Sequence, residues 1–129
     1  MSETKTILIA EDSSVILNLT KKILELQNYK IITAKNGGEV LKQVDKQKID
    51  AILMDINIPV KDGMACTREI RNNPNKQIAN IPIIAVTGNA NNYTLDQFKE
   101  AGINAYLPKP LDFDMLVQTV KQYLEPEQA

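Results

Sequence analysis

Asp55 stands at the end of a short apolar run, where a strand would carry a lone carboxylate to its carboxyl end. An acidic pair, Glu11 and Asp12, ends another apolar run in the same way. Carboxylates that converge without a basic partner repel one another, and this raises the pKa of at least one of them. Mg²⁺ removes the repulsion, since it prefers oxygen ligands and commonly uses one or two carboxylates with water and phosphate oxygens. The three acids and the backbone carbonyl of Asn57 therefore predict a magnesium site.

Thr87 and Lys109 bring a second kind of chemistry to the same place. A threonine hydroxyl is a single hydrogen-bond donor and a lysine ammonium is a point charge, so the two suit an anion with several oxygens. Phosphate held between a metal cation and such donors is the recurring arrangement of phosphoryl transfer. Asp55 could then act as the nucleophile and form an aspartyl phosphate. Alone, each of these residues has a plainer interpretation: the acidic pair as helix capping, Thr87 as structural, Lys109 as solvated.

Alternating apolar runs and helical periodicities predict five strands and five helices that would position these groups. The strands are expected at 5–10, 30–34, 51–54, 81–86 and 105–107. The helices are expected from Ser13 or Ser14 to about residue 27, from the 36–38 turn through 44, and at 64–71, 91–101 and 113–124. This order predicts an α/β fold with a parallel sheet covered on both faces, and such sheets bind ligands beyond the carboxyl ends of their strands. Four of the five predicted strands end in one of the polar groups above.

Two helices carry specific expectations about orientation. The first has more apolar residues than one face needs, so we predict a core-facing stripe of Ile16, Thr20, Ile23 and Leu24, and a second line of Val15, Leu19 and Leu26. The second line is either part of a broad core stripe or partly exposed near the end of the first strand, where Val15 and Leu19 could dock a partner. The fourth helix is expected to point Leu95 and Phe98 inward, with Gly102 as its C-terminal cap.

Composition limits the classes of function. The 129 residues fit one domain, and a formal charge of −1 from 15 basic and 16 acidic residues gives no attraction to nucleic acid or to an anionic membrane. Cys66 is the only cysteine, which fits a reducing compartment, and neither a membrane span nor a signal peptide is apparent, so we expect a cytoplasmic protein. The absence of histidine removes imidazole chemistry and any role as a phosphohistidine carrier.

Four motifs in this order resemble the receiver domain of two-component response regulators, over about residues 5–124. They are Ile9-Ala10-Glu11-Asp12-Ser13, Leu53-Met54-Asp55-Ile56-Asn57-Ile58-Pro59 with Asp62-Gly63, Ala85-Val86-Thr87-Gly88-Asn89-Ala90, and Tyr106-Leu107-Pro108-Lys109-Pro110. The resemblance implies a doubly wound, flavodoxin-like fold with strand order 2-1-3-4-5 and five helices, in a single receiver domain that spans 1–129.

The resemblance also implies a role for each site residue. Asp55 would accept a phosphoryl group from the phosphohistidine of a sensor kinase or a histidine phosphotransfer protein. Mg²⁺ would be bound by Asp12 and Asp55 directly, by Glu11 through water, and by the Asn57 carbonyl. Thr87 and Lys109 would hold the phosphoryl oxygens. Glu11 stands where the family more commonly has aspartate.

Tyr106 is expected to be the switch aromatic that turns inward as Thr87 is drawn to the phosphate, and the Lys109–Pro110 bond is expected to be cis. The plainer interpretation of Tyr106 is a half-buried strand residue with its hydroxyl in water. Output would pass through a partner at the face of the fourth helix, fifth strand and fifth helix. Asn57 and Asn89 are expected to flank the path of the water that hydrolyses the aspartyl phosphate, with self-dephosphorylation at a moderate rate.

Three other classes compete with this interpretation. A haloacid-dehalogenase-type phosphatase needs an aspartate as general acid two residues after its nucleophile, and Asn57 is not one. A nucleotide-binding module needs a glycine-rich loop after the first strand, and none is present. A receiver-like interaction module without phosphorylation would be marked by loss of Asp55, Thr87 or Lys109, and all three are present.

Overall fold

The computed structural model of the chain describes residues 4–58, 62–88 and 94–125. Its elements are β1 (Thr6–Ala10), α1 (Ser14–Leu26), β2 (Lys30–Ala34), α2 (Gly37–Lys46), β3 (Ala51–Asp55), α3 (Gly63–Arg71), α4 (Lys76–Ala79), β4 (Ile83–Thr87), α5 (Leu95–Ala101), β5 (Ala105–Pro108) and α6 (Phe113–Leu124). Across those three ranges, no helix has both the length and the apolar character needed to cross a membrane.

Each helix begins where a short polar side chain accepts a hydrogen bond from the helix's free backbone amides, the usual role of an N-cap. Ser13, rather than Ser14, takes this role for α1. Thr94 and Gln97 form a reciprocal capping box at α5. The remaining caps are Asn36, Asp62, Asn75 and Asp112. The helix starts are thus encoded locally in the sequence.

The five strands form one parallel sheet in the order β2-β1-β3-β4-β5, as expected. β1 pairs with β2 on one side and with β3 on the other, so the direction of winding reverses between β1 and β3. A crevice at such a reversal is the usual ligand site of an open α/β sheet. The residues at its carboxyl edge are Ala10, which leads into Glu11 and Asp12, and Asp55.

Strand residues alternate between two apolar layers, because successive side chains point to opposite faces of a sheet. One layer joins Ile9 and Leu53 to the buried sides of α1 and α6, and the other joins Leu8 and Met54 to α2, α3 and α5. All five residues of β3 and of β4 are buried. Burial of these two strands on both faces fixes the position of Asp55 and Thr87 at their ends.

Helix α4 is an addition to the five predicted helices. Its four residues form a single turn, which is too short to produce a readable periodicity, and it lies between the predicted third helix and fourth strand, where the sequence predicts no element. The predicted fourth and fifth helices therefore correspond to α5 and α6. The described part of α5 begins at Leu95, and its predicted start at residue 91 lies outside the described residues.

The face that α1 turns toward the sheet differs from the prediction at one position. Leu17, Thr20 and Leu24 are buried, at spacings of three and four residues, whereas Ile16 is 40% exposed. The predicted inward position of Ile16 is wrong, because the helix is rotated so that its neighbour Leu17 takes that place. The second line is exposed at Val15, Leu19 and Leu26, so it is not part of a broad core stripe.

Smaller differences concern element ends. β4 begins at Ile83 instead of residue 81, since Pro82 has no amide hydrogen, although its carbonyl accepts from the Ile52 amide at 2.9 Å. In α5, Phe98 is buried as predicted, but Leu95 is 54% exposed, contrary to the prediction, because it opens the first turn outside the buried stripe of Phe98 and Ala101. Gly102 caps this helix as predicted, with φ of 103°.

Arg71, at the end of α3, is an anchor that sequence patterns do not reveal. Its guanidinium donates five hydrogen bonds, two to Gly102 O and one each to Ala79 O, Ile81 O and Asn104 Oδ1. Burial lowers the pKa of the guanidinium, and these oxygens are all neutral. One side chain thus ties α3 to α4, to the entry of β4 and to the α5–β5 turn.

Arg71→Lys should lower the free energy of unfolding by about 2 kcal/mol, because an ammonium cannot reproduce the planar fork and leaves carbonyl oxygens without a donor. Urea unfolding followed by circular dichroism measures it. Arg68→Lys, on the exposed side of the same helix, is the matched control and should change stability by less than about 0.5 kcal/mol. Equal stabilities for the two variants would contradict the anchoring role.

Candidate functional site

Three carboxylates meet at the carboxyl edge of β1 and β3. One oxygen from each of Glu11, Asp12 and Asp55 lies within 4.8 Å of the others; Glu11 and Asp55 are buried and Asp12 is exposed. Burial raises the pKa of the Glu11 carboxyl above its ordinary value; the Ser13 amide, which donates to Glu11 Oε2 at 3.0 Å, opposes this, and the charge of Asp55 adds to it. The pKa of one crowded acid was expected to rise, and that of Glu11 does. Its main cause is burial, and repulsion by Asp55 is a smaller contribution.

Asp55 is held from two sides. Its Oδ2 accepts from Lys109 Nζ at 3.0 Å, and its Oδ1 accepts from the backbone amide of Asn57 at 3.0 Å. The Lys109 side chain is 30% exposed whereas that of Asp55 is 3% exposed, so the ion pair connects a buried carboxylate to the surface. The carboxyl group is thereby fixed in orientation within a cluster that carries more acid than base. The carboxylate oxygens of this cluster are the kind of ligand that Mg²⁺ prefers.

Thr87 lies at the end of β4, one residue beyond Val86, which is the register partner of Asp55. Its side chain is buried, and its carbonyl accepts from the Lys109 amide at 2.9 Å, which joins the ends of β4 and β5 beside the site. The Lys109–Pro110 peptide bond is cis, as expected. The structure thus brings Thr87 and Lys109 to the edge where the three acids lie.

Tyr106 is on β5 but outside the cluster. It is 42% exposed, and its ring stacks on Phe98 of α5 with centroids 5.8 Å apart. The ring therefore occupies an outward position against the face formed by α5, β5 and α6. Asn89, the other residue predicted to act on hydrolysis, lies outside the described residues, as do Pro59 and Ala90 of the quoted motifs.

Two glycines support the site and were not among the predicted site residues. A Cβ on Gly63 would lie 2.8 Å from the Ile56 Cα and 3.0 Å from the Asp55 carbonyl oxygen. A Cβ on Gly88 would lie 3.1 Å from Cδ of Lys109. Both positions allow close approach to the segments that carry Asp55 and Lys109. In the sequence, the two positions could have been recognised because Gly63 directly follows a helix cap and Gly88 directly follows a strand.

Comparison with known proteins supports the same assignment. The family model described as "Response regulator receiver domain" matches residues 7–121. The chain is 31% identical over 120 residues to the polar-differentiation response regulator DivK of Brucella anthropi, covering 93% of this chain and 96% of that protein. It is 38% identical over 120 residues to the CAI-1 autoinducer sensor kinase/phosphatase CqsS of Vibrio cholerae, of which the match covers only 17%.

Solved structures agree in fold. The receiver domain of the sensor histidine kinase PA1611 from Pseudomonas aeruginosa, which has a magnesium ion coordinated in its active-site cleft, matches with a TM-score of 0.84 and 32% identity, covering 94% of this chain and 98% of that one. The chemotaxis response regulator CheY4 of Vibrio cholerae matches with a TM-score of 0.85 and 26% identity, covering 94% and 99%. Together with the family match over residues 7–121, these likenesses show that the chain belongs to the response regulator receiver domains, the signalling switches of two-component systems.

Proposed function

We propose that this receiver accepts a phosphoryl group on Asp55 from the phosphohistidine of a sensor kinase or a histidine phosphotransfer protein. The observation that carries the proposal is the environment of Asp55: a buried carboxylate, paired with Lys109 at 3.0 Å, within 4.8 Å of two other acids at the sheet's topological switch point. A carboxylate oxygen attacks phosphorus, the bond from phosphorus to the histidine nitrogen breaks, and the imidazole leaves with the electron pair.

Mg²⁺ would be held by Glu11, Asp12, Asp55 and the Asn57 carbonyl, and when bound it supplies positive charge that neutralises the phosphoryl oxygens. Asp55 provides the nucleophile in a fixed orientation. The Lys109 ammonium, already beside Asp55, neutralises another phosphoryl oxygen, and the Thr87 hydroxyl donates to a third. Lys109 is therefore already in position to pair with the phosphorylated side chain of Asp55.

The test is incubation with Mg²⁺ and acetyl phosphate, followed by intact mass spectrometry. We expect a gain of one phosphoryl group that requires Mg²⁺ and disappears when EDTA is present. No gain at any Mg²⁺ concentration would overturn the proposal. That result would instead favour a receiver-like module that binds partners without being phosphorylated.

The switch would run from Thr87 to Tyr106. When Thr87 moves toward the phosphoryl group it leaves space behind it, and Tyr106, now outward on Phe98 with 42% exposure, turns into that space. Phosphate would favour this second conformation over the first and so change the face of α5, β5 and α6 that a downstream partner contacts. A cytoplasmic location and a single-domain organisation of residues 1–129 remain predictions.

Substitution of Asn57 and Asn89 should change the rate of self-dephosphorylation, because both side chains are placed in sequence to flank the attacking water. Asn57 is exposed beside Asp55, as this role requires. We expect the double variant Asn57→Ala, Asn89→Ala to alter the decay rate of the phosphorylated protein by about tenfold, the effect of displacing the attacking water by a fraction of an ångström. Loss of the phosphoryl group is followed by intact mass after removal of the donor. An unchanged decay rate would remove this role.

Val15→Arg should slow phosphorylation by a protein donor at least about tenfold, since a donor histidine must reach Asp55 across the exposed start of α1 and a buried arginine charge is costly. Val15 is 77% exposed, so the fold should be unaffected. Phosphorylation by acetyl phosphate, which needs no protein contact, should stay within about twofold of wild type. Leu26→Arg, 79% exposed at the far end of the helix, is the matched control. Equal transfer to both variants would exclude this docking surface.

A further inference from the structure

An apolar cavity of about 280 Å³ opens beside the reactive carboxylate. It lies between α1 and the segment that follows β5, and its surface is almost entirely carbon, contributed in part by Ile16, Leu19, Leu111 and Phe113. Asp55 and Lys109 also line it, so the cavity is continuous with the site. Receiving a phosphoryl group requires no such cavity, because the phosphoryl oxygens are met by charged and polar groups.

The volume and lining of the cavity restrict what it would bind. Pockets for drug-sized ligands begin at roughly 300 Å³, so about 280 Å³ suits a small ligand or a short chain. A carbon-lined space offers nothing to a sugar or a nucleotide, whereas it removes an alkyl group from water. Its charged lining residues are Glu11, Asp55 and Lys109, all of which belong to the phosphoacceptor site, so the polar part of an occupant would meet that site.

We infer that the cavity receives the alkyl chain of an acyl phosphate, so that the protein is phosphorylated more readily by butyryl phosphate than by acetyl phosphate. The inference rests on the proposed function of Asp55. In the reaction, an Asp55 oxygen forms a bond to phosphorus, the bond from phosphorus to the acyl oxygen breaks, and the carboxylate leaves with that electron pair. No proton and no further reactant is needed.

The size of the preference follows from burial. Each methylene removed from water contributes about 0.8 kcal/mol, which is about a fourfold change in a rate constant. Two additional methylenes that are mostly buried should therefore raise the second-order rate constant about tenfold. The two leaving carboxylates have nearly the same basicity, so intrinsic reactivity does not produce such a difference, and the hydrolysis rates of both donors without protein provide the check.

The experiment measures phosphorylation rates with both donors by intact mass, in wild type and in two variants. Ile16→Phe adds bulk at the half-exposed cavity wall and should reduce the ratio of the butyryl to the acetyl rate constant from about ten to about two or less. Leu26→Phe adds the same bulk on the same helix outside the cavity and should leave the ratio unchanged. Thermal unfolding establishes that both variants are folded. Because the readout is a ratio within one protein, a general loss of rate does not imitate the effect.

A wild-type ratio below about two would overturn the inference while leaving the proposed function intact, provided acetyl phosphate reacts. The inference would also be overturned if Ile16→Phe kept the wild-type ratio of the butyryl to the acetyl rate constant. Failure of both donors to add a phosphoryl group would instead remove the proposed function, and the inference with it.

Discussion

Replacing Asp55 with asparagine is expected to abolish phosphorylation, lowering the rate by at least about 10³-fold, to the limit of detection. An amide oxygen carries no negative charge with which to attack phosphorus, and the variant also loses one of the three acids that would hold Mg²⁺. The Lys109 ammonium, 3.0 Å from Asp55 Oδ2 in the wild type, loses its charged partner as well. The measurement is intact mass after incubation with Mg²⁺ and acetyl phosphate.

Asp12→Asn distinguishes loss of the nucleophile from loss of metal binding. Asp12 is exposed and belongs to the acidic cluster but does not attack phosphorus in the proposed reaction. Its substitution should slow phosphorylation, and raising the Mg²⁺ concentration should restore part of the rate, because the defect is in affinity. The same addition should not restore Asp55→Asn. A phosphoryl group found on Asp55→Asn would show that another residue is the acceptor, and mapping that residue would replace the present assignment.

Much of the fold follows from local patterns. The apolar strands β3 and β4 are buried on both faces, and the polar residues at the ends of β1, β3, β4 and β5 lie at the same edge because all the strands are parallel. Asp55 and Lys109 are 54 residues apart in sequence, yet the sequence predicts their approach, since both follow strands of one sheet. The helix starts can also be predicted, because each capping side chain accepts a hydrogen bond from a backbone amide no more than three residues away.

Features set by tertiary contacts could not be predicted in this way. Ile16 and Leu17 are adjacent apolar residues, and only the rotation of α1 against the sheet decides that Leu17 is buried. Helix α4 is a single turn whose Ala79 carbonyl is bound by Arg71 from another helix. An arginine that donates to backbone carbonyls looks, in sequence, like any exposed arginine at a helix end.

The apolar second line of α1 shows how a local pattern can indicate function. Surplus apolar residues on a helix are either core or interface, and periodicity alone does not decide between them. The structure leaves Val15, Leu19 and Leu26 exposed, while Ile16 and Leu19 border the cavity beside Asp55. Part of the excess apolar surface, at Ile16 and Leu19, therefore lies next to the reactive group, where a donor must approach, whereas Leu26 is at the far end of the helix.

Gly63→Ala should lower the free energy of unfolding by about 3 kcal/mol, the upper part of the usual range for overpacking. The added Cβ would lie 2.8 Å from the Ile56 Cα, 3.0 Å from the Asp55 carbonyl oxygen and 3.0 Å from Met54 Cγ, and the first two are backbone atoms that have no alternative rotamer. The usual effect of placing alanine in a helix is stabilising, by roughly 0.5–1 kcal/mol, so the expected sign is opposite to the general trend. Urea unfolding followed by circular dichroism measures the change.

The same substitution should also slow phosphorylation by acetyl phosphate about tenfold under conditions where the variant is folded. The Gly63 amide donates to the Ile56 carbonyl at 2.9 Å, so α3 cannot move away without pulling on the segment that carries Asp55. A displacement of a few tenths of an ångström at the nucleophile is enough for such a loss, given that about 1 Å costs about 10²-fold. Gly38→Ala, also in a helix, is the control: its Cβ would meet only the Asn36 Oδ1 side-chain atom, at 3.3 Å, so the phosphorylation rate should stay near wild type and the stability should not fall. If Gly63→Ala matched this control, α3 would be free to shift independently of Asp55, and the close contact would have no part in positioning the phosphoacceptor.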